Sequence, residues 1–142
     1  MALVKDYMIR SVVSLDAGDS VYDAALLMKE KGVSCVVVKR NRKPAGILTE
    51  RDVIRRVVCE KTDPSKMLAG DVMSTPLITV SPLMSLDDAA MVIERSGVKK
   101  LCVLSGDRIE GIITATDILA AETREVRLLE RYVRLLSAEK KE

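Results

Sequence analysis

The sequence contains no histidine, no phenylalanine and no tryptophan, and only three tyrosines. Without histidine, the commonest general base and the commonest metal ligand are both missing. Without the large aromatics, a single-strand nucleic-acid binder has almost no surface on which to stack bases. The three cysteines, Cys35, Cys59 and Cys102, form no C-x-x-C pair, and an odd number argues against a full disulfide framework. Cys35 and Cys102 lie in the apolar runs VSCVVVK and KKLCVLS and read as small buried hydrophobes. No apolar run approaches membrane-spanning length, and the start MALVKDYMIR lacks the apolar core of a signal peptide. A cytoplasmic protein with no membrane partner is expected.

Excess charge of one sign is also lacking. With 23 basic and 21 acidic residues the formal net charge is +2, so bulk electrostatics gives no reason to expect nucleic acid. What the chain does have is aliphatic bulk. Its hydrophobic content of 48% is almost all Val, Ile, Leu, Ala and Met, enough to bury a core. At 142 residues it fits one compact domain or two very small units that share a core.

The dominant signal is an internal repeat. Residues 6 to 54 align with 71 to 119 at a constant offset of 65, without a gap, and 13 of the 49 pairs are identical. Each copy reads as β-α-β-β-α. A short extended piece (SVVSL; PLITV) precedes a helix that starts at Ser20 or Ser85. Val21, Ala24, Ala25 and Met28 recur at helical spacing, and Gly32 is a C-terminal stop. A β-rich run follows (CVVVK; LCVLS), then a polar turn and a second strand (AGILT; EGIIT) that runs straight into another helix. The expected fold is α/β (α+β), with two repeats packed about a pseudo-two-fold axis and a cleft on each side. The units are 4–58 and 71–120, joined by a linker at 59–70 and followed by a helical extension at 121–142.

The stretch GILTERD (46–52) returns as GIITATD (111–117). Thr-x-x-Asp at a helix start is close to a capping box. Ser20-x-x-Asp23 and Ser85-x-x-Asp88 have the same form at the other helix of each repeat, so capping alone accounts for the local pattern. Context adds a second reading. A threonine at the end of a buried strand, with free helix amides beside it, suits phosphate. A carboxylate there would repel phosphate, and its useful partner is a neutral diol such as ribose. Together these describe a nucleotide site.

At these residues the chain resembles a tandem pair of cystathionine-β-synthase (CBS) domains, a Bateman module. The matching features are DVMSTPLITVSP, the helix SLDDAAMVIERSGVKKL, the link TDPSKMLAGDVM and the duplicated G-apolar-apolar-T-x-x-D. The resemblance covers residues 4 to about 120. It implies a non-catalytic sensor that binds an adenosine-containing regulatory ligand (AMP, ADP, ATP or S-adenosylmethionine). It implies that Asp52 and Asp117 hold ribose hydroxyls, and that Thr49 and Thr114 flank the ribose-phosphate end. The segments at Val12–Val13 and Leu77–Ile78 would enclose adenine. Many family members carry proline where this chain has Val37 and Cys102. The two sites are expected to differ, because Arg51 in the first motif faces Thr116 in the second. Lys99 and Lys100 correspond to Ser34 and Cys35, and a lean of either lysine toward the Asp52 site would favour a phosphorylated ligand there.

Two features stand outside the motifs. The turn Lys39-Arg40-Asn41-Arg42-Lys43 carries four positive charges and leaves a nucleic-acid-binding module as an alternative, although a solvated hairpin explains it. A nucleotide-acting enzyme is the other alternative, disfavoured because no Walker-type loop, histidine or metal-ligand cluster is present. Residues 115 to about 138 read as one long helix, in which Val126, Leu129, Val133 and Leu136 keep heptad-like spacing. That stripe either packs back on its own module or joins two copies, and a homodimer is expected. The effector protein that the module would regulate is not readable from the chain.

Overall fold

A computed structural model describes residues 2–139, and side chains as far as Ala138. Residues 140–142 of the expected C-terminal extension lie outside the described residues. The element order is α1 (Val4–Tyr7), β1 (Ser14–Asp16), α2 (Val21–Lys31), β2 (Cys35–Arg40), β3 (Lys43–Thr49) and α3 (Glu50–Val53). A π-helical segment, Ile54–Val58, and a short 3-10 turn, Pro64–Lys66, follow. The second half comprises α4 (Ala69–Val72), β4 (Thr79–Val80), α5 (Leu86–Ser96), β5 (Lys100–Ser105), β6 (Arg108–Thr114) and α6 (Ala115–Glu139). The extended pieces expected at SVVSL and PLITV pair as strands only over Ser14–Asp16 and Thr79–Val80.

Each half holds a three-stranded sheet, ordered β1-β2-β3 and β4-β5-β6. In both, the first pair is parallel and the second antiparallel. The register repeats at the sequence offset: Cys35 opposes Thr49 as Lys100 opposes Thr114, and Val38 opposes Gly46 as Val103 opposes Gly111. Even the bulge recurs, between Val38 and Lys39 and between Val103 and Leu104. The helices begin and end as their sequences require. The hydroxyls of Ser20 and Ser85 accept from the amides of Asp23 and Asp88, and Gly32 and Gly97 close α2 and α5 at φ 64° and 71°.

The continuous apolar runs of β2 and β5 are explained by burial on both faces. Val36 and Val38 point into one core with α2, and Leu101 and Val103 into the other with α5. Between them Val37 and Cys102 face the opposite way and meet in a third cluster with Ile112, where the two sheets stack. Val37 and Cys102 thus sit at the junction of the repeats.

The first helix of each repeat is exchanged. Val4, from α1, and Met8, which caps it, belong to the core of the second repeat, whereas Ala69 and Val72, from α4, and Met73, which caps it, belong to the core of the first. The exchange is symmetric: Leu86 N donates to Ala2 O and Val21 N to Met67 O. After each exchanged helix the chain crosses the edge strand of the other half. Ile9 exchanges two backbone bonds with Ile112 (2.8 and 2.9 Å), and Ser74 exchanges two with Ile47 (2.8 and 3.2 Å). These crossings explain the glycine that opens each motif. A Cβ at Gly46 would stand 2.8 Å from Ser74 O, and one at Gly111 would stand 2.7 Å from Ile9 O.

Candidate functional site

Both Thr-x-x-Asp motifs form complete capping boxes. Asp52 N donates to Thr49 Oγ1, and Thr49 N donates back to Asp52 Oδ2, both at 3.1 Å. In the second copy the corresponding distances are 3.2 and 2.9 Å, and the Thr114 hydroxyl also donates to Asp117 Oδ2 at 2.9 Å. At Ser20 and Ser85 only the forward bond forms. The strand-to-helix junctions are therefore built more tightly than the other helix starts, although all four share one pattern.

The copies then diverge. Asp52 is 8% exposed, and Ser74 Oγ donates to its carboxylate at 2.9 and 3.1 Å from the two oxygens. Arg56 Nε lies 4.0 Å from Asp52 Oδ1, while its Nη1 donates to Val72 O (2.8 Å) and Met73 O (3.1 Å), the last carbonyls of the exchanged helix. Ser74 and Arg56 correspond to Ile9 and Ala121, so Asp117 has neither partner. A carboxylate offers about four lone-pair sites. The Thr49 amide and the Ser74 hydroxyl each supply one proton, which leaves room on Asp52 for a diol.

A cleft of about 550 Å³ opens beside Asp52, within the range of small-ligand sites. Its floor is the β3–α3 junction, with Thr49, Arg51 and Asp52. One wall is the crossing segment of the second repeat, Ser74–Ile78; the other is the entry to β5, with Lys99 and Lys100. Seven expected site residues thus line one cavity: Thr49, Arg51, Asp52, Leu77, Ile78, Lys99 and Lys100. Arg55, Arg56, Glu50, Ser34 and Ser74 line it as well and were not singled out by the sequence. Five cationic side chains face two acidic ones, and Lys100 Nζ reaches Ser34 Oγ across the repeat boundary at 3.3 Å.

The remaining expected residues, Thr114, Thr116, Asp117, Val12 and Val13, take the symmetry-related places in the other half. There the counterparts of Arg51, Arg55 and Arg56 are Thr116, Ala120 and Ala121, and those of Lys99 and Lys100 are Ser34 and Cys35. Arg10, in the place of Thr75, adds one cation, but it donates to Lys5 O at 2.9 Å. Thr116 lines a separate groove on α6, with Leu119, Thr123 and Arg124. Val12 packs against the inter-sheet cluster and Val13 against the first core.

The cysteines are spread by burial. Burial raises the Cys35 thiol above its ordinary value; Lys100 opposes that shift and Glu50 adds to it. Cys102, fully enclosed, is pushed up to about 11 by burial and by the neighbouring Cys35. Cys59 is exposed. In the basic turn, Arg40 reaches Gly70 O, and Lys39 and Arg42 share a shallow groove with Asp16 and Asp19. Among the described residues no group of three His, Cys, Asp or Glu side chains is placed to hold a metal, and no helix is long and apolar enough to cross a membrane.

Two stacked β-α-β-β-α units with exchanged first helices and a cleft between them define a pseudo-symmetric tandem module of the α/β class. The chain belongs to the CBS-domain family, whose model matches residues 4–59 and 69–124. It is 30% identical to the CBS domain-containing protein YhcV of Bacillus subtilis, over 83% of this chain and 84% of that one. An uncharacterized protein of Methanopyrus kandleri is 31% identical over 92% of this chain, which spans 67% of its length. The inosine-5'-monophosphate dehydrogenase of Korarchaeum cryptofilum is 32% identical over 84% of this chain, but the match spans only 24% of that enzyme. Among solved structures, a hexameric CBS-CP12 protein from bloom-forming cyanobacteria matches with a TM-score of 0.77 at 26% identity, over 99% of this chain and 88% of that one. Pairs of CBS domains are regulatory modules in many proteins.

Proposed function

We propose that this chain is a non-catalytic sensor that binds an adenosine-containing nucleotide in the Asp52 cleft. One observation carries the reading: a buried carboxylate able to accept a diol shares a cavity with five cations that the opposite half lacks. The ribose would lie on Asp52 near Thr49, the phosphates toward Arg51, Lys99 and Lys100, and the base against Leu77 and Ile78. In the related half, Asp117, Thr114, Thr116, Val12 and Val13 would form a weaker site, suited to a less charged ligand such as S-adenosylmethionine. Binding would bias a conformational equilibrium of the module, and so the effector protein it engages, by as much as the ligand's affinity differs between the two states. The module would work as a cytoplasmic homodimer, although the cyanobacterial neighbour is a hexamer.

The test is calorimetry with AMP, ADP, ATP and S-adenosylmethionine on the wild type, Asp52→Ala and Asp117→Ala, backed by thermal shift. A ligand at a hundredfold excess over its Kd stabilises the fold by about 2.7 kcal/mol. The expected result is that Asp52→Ala abolishes phosphorylated-ligand binding and Asp117→Ala does not. Equal losses would remove the asymmetry, and no binding by any of the four ligands would remove the sensor.

A further inference from the structure

The charge of the Asp52 cleft depends on which of its groups are already paired. Asp52 accepts from the Thr49 amide and the Ser74 hydroxyl and stands 4.0 Å from Arg56, whose Nη1 is held by the carbonyls of Val72 and Met73. That pair is balanced within itself and tied to the exchanged helix. Arg51, Arg55, Lys99 and Lys100 remain, against Glu50 alone, so four cations facing one carboxylate leave an excess of three positive charges. The backbone helps to gather them. Ile54–Val58 is π-helical, and Cys59 N donates to Ile54 O at 2.9 Å. A turn closed by i→i+5 bonds is wider than an α-turn, and Arg55 and Arg56 both line the cleft that Arg51 lines. The matched stretch of the second repeat stays α-helical within α6 and has Ala120 and Ala121 in those places.

This excess selects the form of the ligand. A nucleoside monophosphate brings about two negative charges and each further phosphate about one more, so a di- or triphosphate matches the lining. A bound Mg²⁺ would cancel two of those charges. It would also need oxygen ligands, because protein sites hold Mg²⁺ through one or two carboxylates besides phosphates and water. The cleft has little to give. Asp52 is taken up by its donors and the ribose. Glu50 is exposed at the first position of α3; its amide donates to Ser34 O at 3.0 Å, and Lys100 Nζ reaches Ser34 Oγ at 3.3 Å, so this carboxylate already has a cation for a neighbour. Resting on the nucleotide reading of the Asp52 cleft, we propose that the site takes the metal-free form of a nucleoside di- or triphosphate, and that Mg²⁺ antagonises binding by chelating the ligand in solution. The module then reports free nucleotide, a quantity that falls as Mg²⁺ rises even at constant total nucleotide.

The experiment is calorimetry on the full chain with AMP and ADP, in EDTA, in excess MgCl₂, and in NaCl matched to the MgCl₂ in ionic strength. The NaCl arm separates chelation from screening. The expected result is that MgCl₂ raises the apparent Kd for ADP about tenfold or more over the NaCl arm. AMP, whose single phosphate chelates Mg²⁺ weakly, should change by less than about twofold under the same comparison. Arg51→Gln with Arg55→Gln should weaken ADP in EDTA more than AMP, and Glu50→Gln should tighten ADP there. Equal ADP affinity with and without Mg²⁺ overturns the proposal while AMP binding keeps the nucleotide site. Tighter ADP binding in Mg²⁺, lost in Glu50→Gln, also overturns it and makes Glu50 a metal ligand. Absence of binding by both nucleotides in EDTA removes the site and the proposal together.

Discussion

The two Thr-x-x-Asp junctions have the same backbone and different surroundings. Both close a strand with a full capping box, and both are crossed by the other half's chain at a glycine. Only the first adds a serine hydroxyl and an arginine around its aspartate, and only the first has a cation-rich cleft. A capping box therefore needs nothing beyond its own four residues. A binding site needs residues that come from elsewhere in the chain: Ser74 and Lys100 belong to the second repeat, and Asp52 to the first. Duplication preserved the local device twice, while differences at distant positions put a cation-rich cleft beside one copy alone among the two.

The shared part of the comparison carries the largest expected effect. Gly46→Val and Gly111→Val should each destabilise the fold by about 3 kcal/mol, because the new side chain collides with backbone oxygens that the crossing holds in place. Urea midpoints check this, and a large gap between the two variants would break the symmetry of the crossings. The unshared part is smaller. Ser74→Ala removes a donor to a buried carboxylate and should cost about 1.5 kcal/mol. Ile9→Ser, at the matched and half-exposed position, should change stability by less than about 0.5 kcal/mol.

The hairpin turns offer a third contrast. Asn41 and Arg42 sit at φ 53° and 66°, whereas in the second turn Gly106 takes the left-handed place at φ 61°. Arg42→Gly should stabilise the chain by about 1 kcal/mol in the same urea assay, since a side chain with a Cβ is strained there. The smallest effect is chemical. At pH 8, Cys59 should be alkylated first, Cys35 slowly and Cys102 only on unfolding. Because the folded-state Cys102 thiol is raised from 9.0 to about 11, its stabilising contribution is complete below pH 9 and fades as pH climbs through 11. Cys102→Ala should flatten that decline.

Much of this was legible in the chain. The 65-residue offset survives in the strand register and the bulges because an ungapped duplication leaves no room for either to slip. The caps at Ser20, Thr49, Ser85 and Thr114 were readable because capping is local. Lys99 and Lys100 were placed at strand entries, and the structure puts both in the cleft with Asp52. The exchanged helices were not legible: four residues each, VKDY and AGDV, are too short to show a period. Ser74 and Arg56 were missed for a related reason. They reach Asp52 only through the crossing that the exchange creates, and a serine beside a proline or an arginine in a basic helix carries no signal of its own.

The exchanged helices have a consequence for what counts as a unit. A cut in the link between the repeats would yield two fragments, each carrying the helix the other needs and exposing the hole its own helix cannot fill. Neither fragment is a miniature of the whole, yet mixed together they hold a full set of parts. The indivisible object is the pair, and its two halves are expected to melt in one transition. A single ancestral repeat would have met the same requirement by trading helices with its twin, and a chain that joins two repeats makes that trade permanent.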